Sequence, residues 1–196
     1  MRRLGVWVLA LAAGTAACER VEDVPDAEVR DTMAAQLPEQ PQQEQDEPIE
    51  VQLVDSTGTQ TGVAHLSQEG AGVEVHVRVT GLEAGSEHGI HFHENGVCQP
   101  PTFESAGGHF NPTQRRHGLE NPEGPHVGDM PNIRAGDDGV ADTTFVKPNT
   151  LLRGDSTSLQ RPGGIALIVH AGRDDQRTDP SGNSGARIAC GVVQIP

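Results

Sequence analysis

The stretch GVEVHVRVT, residues 72–80, alternates apolar and polar side chains without a break. Val73, Val75, Val77 and Val79 fall on one face; Glu74, His76, Arg78 and Thr80 fall on the other. That two-residue period belongs to a half-buried strand. Working back from it, GVAHLSQ (62–68) and IEVQLV (49–54) have the same character, separated by the glycine-bearing turns STGTQTG and EGAG. Working forward, the turn GLEAGSEHG leads into the strand IHFH. Beyond a long loop come a short strand at Asn132–Ala135, a turn at Asp137-Asp138-Gly139, and the runs VADTTFV, GGIALIVH and RIACGVV. Eight short strands and no convincing long helix predict an all-β sandwich or flattened barrel. Composition agrees: aromatic residues make up only 3%, tyrosine is absent, and there are 24 glycines and 14 prolines. The core must come from Val, Ile, Leu and Ala on alternating strand faces.

The long loop is the unusual part. Residues 89–129 hold five of the nine histidines, His91, His93, His109, His117 and His126, and end on Asp129. In a strand, His91 and His93 point to the same face and Phe92 to the other. The later ligand-type residues fall in Gly-, Pro- and Asn-rich sequence without helical or strand period. A structureless loop of that length is uncommon in a compact domain unless it is functional or pinned from within. Three histidines and an aspartate make a complete tetrahedral zinc set. His65, His76 and His88 have no ligand-type partner at metal spacing and read as bystanders.

The N-terminal part has a different nature. Residues 1–18 carry two arginines, an apolar run from Leu4 to Ala13, then small residues, as a secretory signal does. Ala16-Ala17-Cys18 resembles a bacterial lipoprotein cleavage site, at which Cys18 becomes the lipidated first residue; Thr15 departs from that pattern. Residues 19–47 carry ten acids and two arginines in Gln- and Pro-rich sequence, a composition that predicts a disordered tether. The folded domain is expected over residues 48–196. Three cysteines in an exported chain leave one unpaired. If Cys98 and Cys190 pair, Cys18 is the spare.

GIHFHENGVC, AGGHFNP, HVGDMPN and GNSGARIACGVV, in that order, resemble the copper–zinc superoxide dismutases over about residues 48–196. The resemblance implies an eight-stranded Greek-key sandwich or flattened barrel with long metal-binding and active-site loops. It assigns His91, His93, His109 and His170 to copper and His109, His117, His126 and Asp129 to zinc, with His109 bridging the two. It further implies a Cys98–Cys190 disulfide, and a supporting aspartate at Asp174 that hydrogen-bonds His91 and His117, with Asp175 one residue away. The implied reaction is dismutation of superoxide to O2 and H2O2. Copper cycles between its two oxidation states, His109 carries a proton, and Arg187 guides the anion.

Charge bears on that last role. Residues 48–196 hold eighteen acids and ten bases, a net of −8. The overall field opposes an anionic substrate, so a local cation is required. The acidic balance also argues against nucleic-acid binding. The expected location is the periplasm or cell envelope, with the membrane touched only through a lipid anchor at Cys18; a homodimer is compatible with the family. The alternative is a non-catalytic copper- or zinc-binding envelope protein of the same fold. Such a protein would lack a ligand, or carry a CxxC or Met-rich tract; this sequence has every ligand position and no such tract.

Overall fold

A computed structural model describes residues 47–154 and 156–196. The signal segment, Cys18 and the acidic tether, apart from Glu47, lie outside the described residues.

The alternating stretch forms β3 (Gly72–Val79), with its four valines buried. It pairs antiparallel with β2 (Gln60–Glu69), and β2 pairs with β1 (Ile49–Asp55). Next in the chain come β4 (Glu87–His88), β5 (Ile90–His93), β6 (Ile133–Arg134), β7 (Ala141–Pro148), β8 (Ile165–His170) and β9 (Arg187–Val193). Seven of these form one antiparallel sheet in the order β5-β8-β9-β1-β2-β3-β7, and β4 with β6 makes a separate pair. The chain passes from one end of that order to the other between β3 and β5 and again between β7 and β8, as in a Greek key. Among the described residues the strand count exceeds the expected eight by one. Glu87–His88, read as part of a turn, pairs with Ile133–Arg134; two residues are too few to show a period.

The sheet curls around a core of Val51, Leu53, Leu66, the β3 valines, Ile90, Phe92, Ile165, Leu167 and Val169. β8 is buried along its whole length. Small residues allow this close packing: a side chain at Gly191 would meet the Gln52 carbonyl at 2.6 Å.

β5 is the end strand of the sheet, and an exposed strand edge is a liability unless covered. Here the long loop covers it. The Phe92 amide donates to Gly128, the Phe110 amide to Phe92, and the Gly128 amide to Phe110, at 2.9, 2.8 and 2.7 Å. The loop is therefore laid back along the strand that begins it. Cys98 and Cys190 form a disulfide between the loop's start and β9, closing 92 residues. In the chain-entropy view, a loop of that length contributes roughly 4–5 kcal/mol.

Candidate metal centre

Strand alternation puts Ile90 and Phe92 in the core and turns His91 and His93 the other way. His170 ends β8, the neighbour of β5, and its amide donates to the Gly89 carbonyl at 2.8 Å. The returning loop brings His109 opposite His93 and Asp129 opposite His91. These contacts gather His91, His93, His109 and His170 so closely that one ligand atom from each lies within 4.8 Å of all the others. All four are buried.

Each ring has one nitrogen tied down and one left over. His91 Nε2 faces Asp174 at 2.7 Å, His93 Nδ1 donates to the Gly107 carbonyl at 3.0 Å, and His170 Nδ1 donates to the Gly185 carbonyl at 3.2 Å. His109 Nδ1 faces Asp129 at 3.0 Å. The leftover atoms, His91 Nδ1, His93 Nε2, His109 Nε2 and His170 Nε2, are buried without any hydrogen-bond partner among the described residues. An unpaired buried polar atom is costly, and four converging ones fit a metal that takes nitrogen ligands. Copper suits such a set.

On the far side of His109 the donors change. Asp129 Oδ1 is approached by the Nδ1 atoms of His109, His117 and His126 at 3.0, 3.0 and 3.3 Å. Its other oxygen accepts from the backbone amides of Gly118 and His126 at 2.8 and 2.9 Å. Three imidazole nitrogens around a carboxylate fit zinc. A group of His91, His109, His117 and Asp129 also falls within 4.8 Å. His91 is the weaker member, because its Nε2 is committed to Asp174 while His126 aims its Nδ1 at the shared oxygen. His109 alone presents one nitrogen to each side.

Asp174, rather than Asp175, lies between the two sites. It is fully buried, and its oxygens face His91 Nε2 and His117 Nε2 at 2.7 and 3.0 Å. Asp175 instead holds the amides of Arg177 and Thr178 in a surface turn. Asn132 clamps Asp174 from both sides through its backbone, and a side chain at Gly182 would collide with Asp174 and His117. Sequence pattern singles out neither Asn132 nor His88. Read as a bystander, His88 is buried and bonds through Nδ1 to the carbonyl of His170 at 2.8 Å. Nothing in its spacing from His91 signals that. His65 and His76 are surface residues, stacked on each other with Glu50 and Asp142 beside them.

Arg187 stands opposite His170 across the β8–β9 pair. Its guanidinium donates to the carbonyls of Phe103 and Gly107, both at 2.6 Å. It lines a cavity of about 220 Å³ with His93, His109, His170, Pro180 and Ser181. That volume admits a small anion.

Burial and the neighbouring histidines hold the rings neutral, with His93 pushed down to about 2, His109 to about 4 and His170 to about 3. Burial also disfavours charge on His117, but its two carboxylate partners outweigh that and raise it to about 9. Between pH 6.5 and about 3 the unfolded metal-free chain takes up protons on His93, His109 and His170 that the folded one refuses, so stability falls with pH there. His117 acts oppositely: its contribution is complete below 6.5 and is lost as pH rises through 9. The thermal midpoint of the metal-free domain should therefore peak near pH 6.5 and fall more steeply on the acid side. A midpoint that climbs between pH 6 and 4, followed by circular dichroism, would contradict this.

Residues 60–193 match the family described as copper/zinc superoxide dismutase. Superoxide dismutase [Cu-Zn] 2 of Aquifex aeolicus (strain VF5) is 46% identical over 151 residues, covering 76% of this chain and 88% of that protein. A superoxide dismutase-like protein from Bacillus subtilis, known from its crystal structure, superposes with a TM-score of 0.72 at 41% identity, covering 74% of this chain and 97% of that one. The Cu/Zn superoxide dismutase from Brucella abortus superposes with a TM-score of 0.62 at 33% identity, covering 76% and 100%. The chain belongs to the copper/zinc superoxide dismutase family, oxidoreductases that use copper and zinc to dismutate superoxide.

Proposed function

We propose that the domain dismutates superoxide at a copper held by His91, His93, His109 and His170, beside a zinc held by His109, His117, His126 and Asp129. The observation that carries this reading is the set of four buried, partnerless ring nitrogens, one from each copper ligand. Copper bound there supplies the one-electron couple by which two superoxide anions and two protons become O2 and H2O2, and zinc supplies fixed positive charge. The chain's own residues do the rest. The carbonyls of Gly107 and Gly185 take the ring N–H of His93 and His170, and the Asp174 carboxylate takes that of His91 as well as that of His117, so that the opposite nitrogen of each ring keeps its lone pair. His109 would carry the proton at Nε2, the atom it turns to the copper side, while its Nδ1 stays turned to Asp129. The Arg187 guanidinium draws the anion into the cavity against the net charge of the domain.

The Arg187 role has a direct test. Arg187→Ala should slow dismutation several-fold without removing copper, and Arg187→Glu should slow it further. Added salt should raise the rate of Arg187→Glu by screening repulsion, over about 8–10 Å at ordinary ionic strength. Full activity of copper-loaded Arg187→Glu in a pulse-radiolysis assay would assign Arg187 to the surface clamp alone.

We further propose that the enzyme works outside the cytoplasm, in the periplasm or cell envelope, tethered by a lipid on Cys18. The N-terminal pattern and the Cys98–Cys190 disulfide support this. Expressed with its own leader in a bacterium, the protein should sediment with membranes, and Cys18→Ser should release it or block processing. An unmodified mature N-terminus beyond residue 18 in mass spectra would rule the anchor out.

A further inference from the structure

The single lysine of the chain is buried. Lys147 is the last inward-facing residue of β7 and is only 5% exposed. Among the described residues nothing accepts a hydrogen bond from its ammonium, and Asp129 acts on it only through space. Asp129 is already committed to three imidazoles and two backbone amides. Holding an ammonium on a side chain buried this far, without a protein partner, is costly even where its tip meets the cavity. Burial pushes its pKa down to about 8, which leaves it largely cationic at neutral pH.

Lys147 lines a cavity of about 800 Å³ that shares no lining residue with the Arg187 cavity. A second cation, Arg115, stands in the same wall, its guanidinium tied to the Gly124 carbonyl at 2.9 Å. Much of the remaining wall is apolar, including Leu119, Val127 and Val146. Leu119 and Val146 are 43% and 48% exposed, and both belong to the small set of large apolar side chains left in solvent.

We propose that this cavity binds a small organic anion, a carboxylate on an apolar frame, with the carboxylate at Lys147 and the frame against Leu119, Val127 and Val146. The volume lies within the range of small-molecule sites. The zinc ligands His126 and Asp129 also line the cavity, and with zinc bound the Asp129 charge is compensated, which leaves Lys147 and Arg115 as its cations in a domain of net −8. The competing explanation is that an inward lysine protects an edge strand, since β7 ends the sheet order. That explanation requires no ligand.

The test uses the copper- and zinc-loaded protein with 4-fluorobenzoate as probe and 4-fluorobenzamide as its neutral counterpart, followed by fluorine NMR and by amide shifts at Leu119, Val127 and Lys147. Saturable binding of the benzoate is expected with a Kd on the order of 1 mM. The benzamide and the Lys147→Met variant should each bind at least tenfold more weakly. Val146→Asp, at the exposed rim, should weaken binding while keeping the fold, and so serves if Lys147→Met does not fold. Arg187→Ala should bind as wild type does. The proposal is overturned by absence of saturable shifts at the cavity, by equal binding of the two probes, by loss of binding in Arg187→Ala, which would place the probe at the copper side, or by a Lys147→Met variant that merely self-associates while binding the probe unchanged.

Discussion

His109→Ala is expected to lose tight binding of both metals together and to lower dismutation by more than 100-fold. Removing a group that merely orients a ligand typically costs 10–100-fold in metal affinity or activity, and His109 is placed to be a ligand twice over. Its Nε2 is one of the four partnerless nitrogens, while its Nδ1 faces Asp129 at 3.0 Å. Loss of the ring should leave three nitrogens on one side and two nitrogens with a carboxylate on the other. His117→Ala provides the contrast, since its two ring nitrogens face Asp129 and Asp174 and neither is among the four partnerless ones. It should weaken zinc and lower the thermal midpoint while leaving the copper spectrum close to native. Metal analysis and electron paramagnetic resonance of the two variants, side by side, read the difference. A His109→Ala protein that held both metals with native spectra would remove the shared-ligand reading.

Asp174→Ala should have the second largest effect, weakening both metals by roughly 10–100-fold although no proposed ligand is lost. The carboxylate accepts from His91 on the copper side and from His117 on the zinc side, and so sets both tautomers. Asp174→Asn should do little better than alanine. An amide has one acceptor oxygen, so its NH2 group must meet one of the two ring N–H groups, donor against donor. Chelator competition measures both affinities in one titration. Affinities within threefold of native in both variants would make Asp174 a packing residue only.

Much of this organisation is legible in the sequence, because it depends on local period and on residue type. The valines of β3 and the limits of β9, Arg187–Val193, coincide with their sequence patterns. The gathering of His91, His93, His109 and His170 follows the family motifs. What could not be read depends on contacts between distant backbone atoms. His88 matters through a carbonyl 82 residues away. Asp174 and Asp175 are chemically identical neighbours, and only the turn that buries one and exposes the other separates them. Lys147 lies one residue beyond the run VADTTFV, and nothing in residue type announces an inward-facing ammonium.

The clamp around Arg187 has a consequence under reduction. β9 carries both Arg187 and Cys190, and both grip the same loop: the sulfur at Cys98, the guanidinium at the carbonyls of Phe103 and Gly107. The Gly107 carbonyl also orients His93. With the two thiols reduced, the loop would keep only the Arg187 hydrogen bonds and the packing of Phe103 and Ala106 on β8 and β9, and the anion guide and one copper-facing ring share that loosened anchor. Oxidation of one cysteine pair sets both at a stroke. Reduction of that one pair would therefore loosen the anion guide and His93 together.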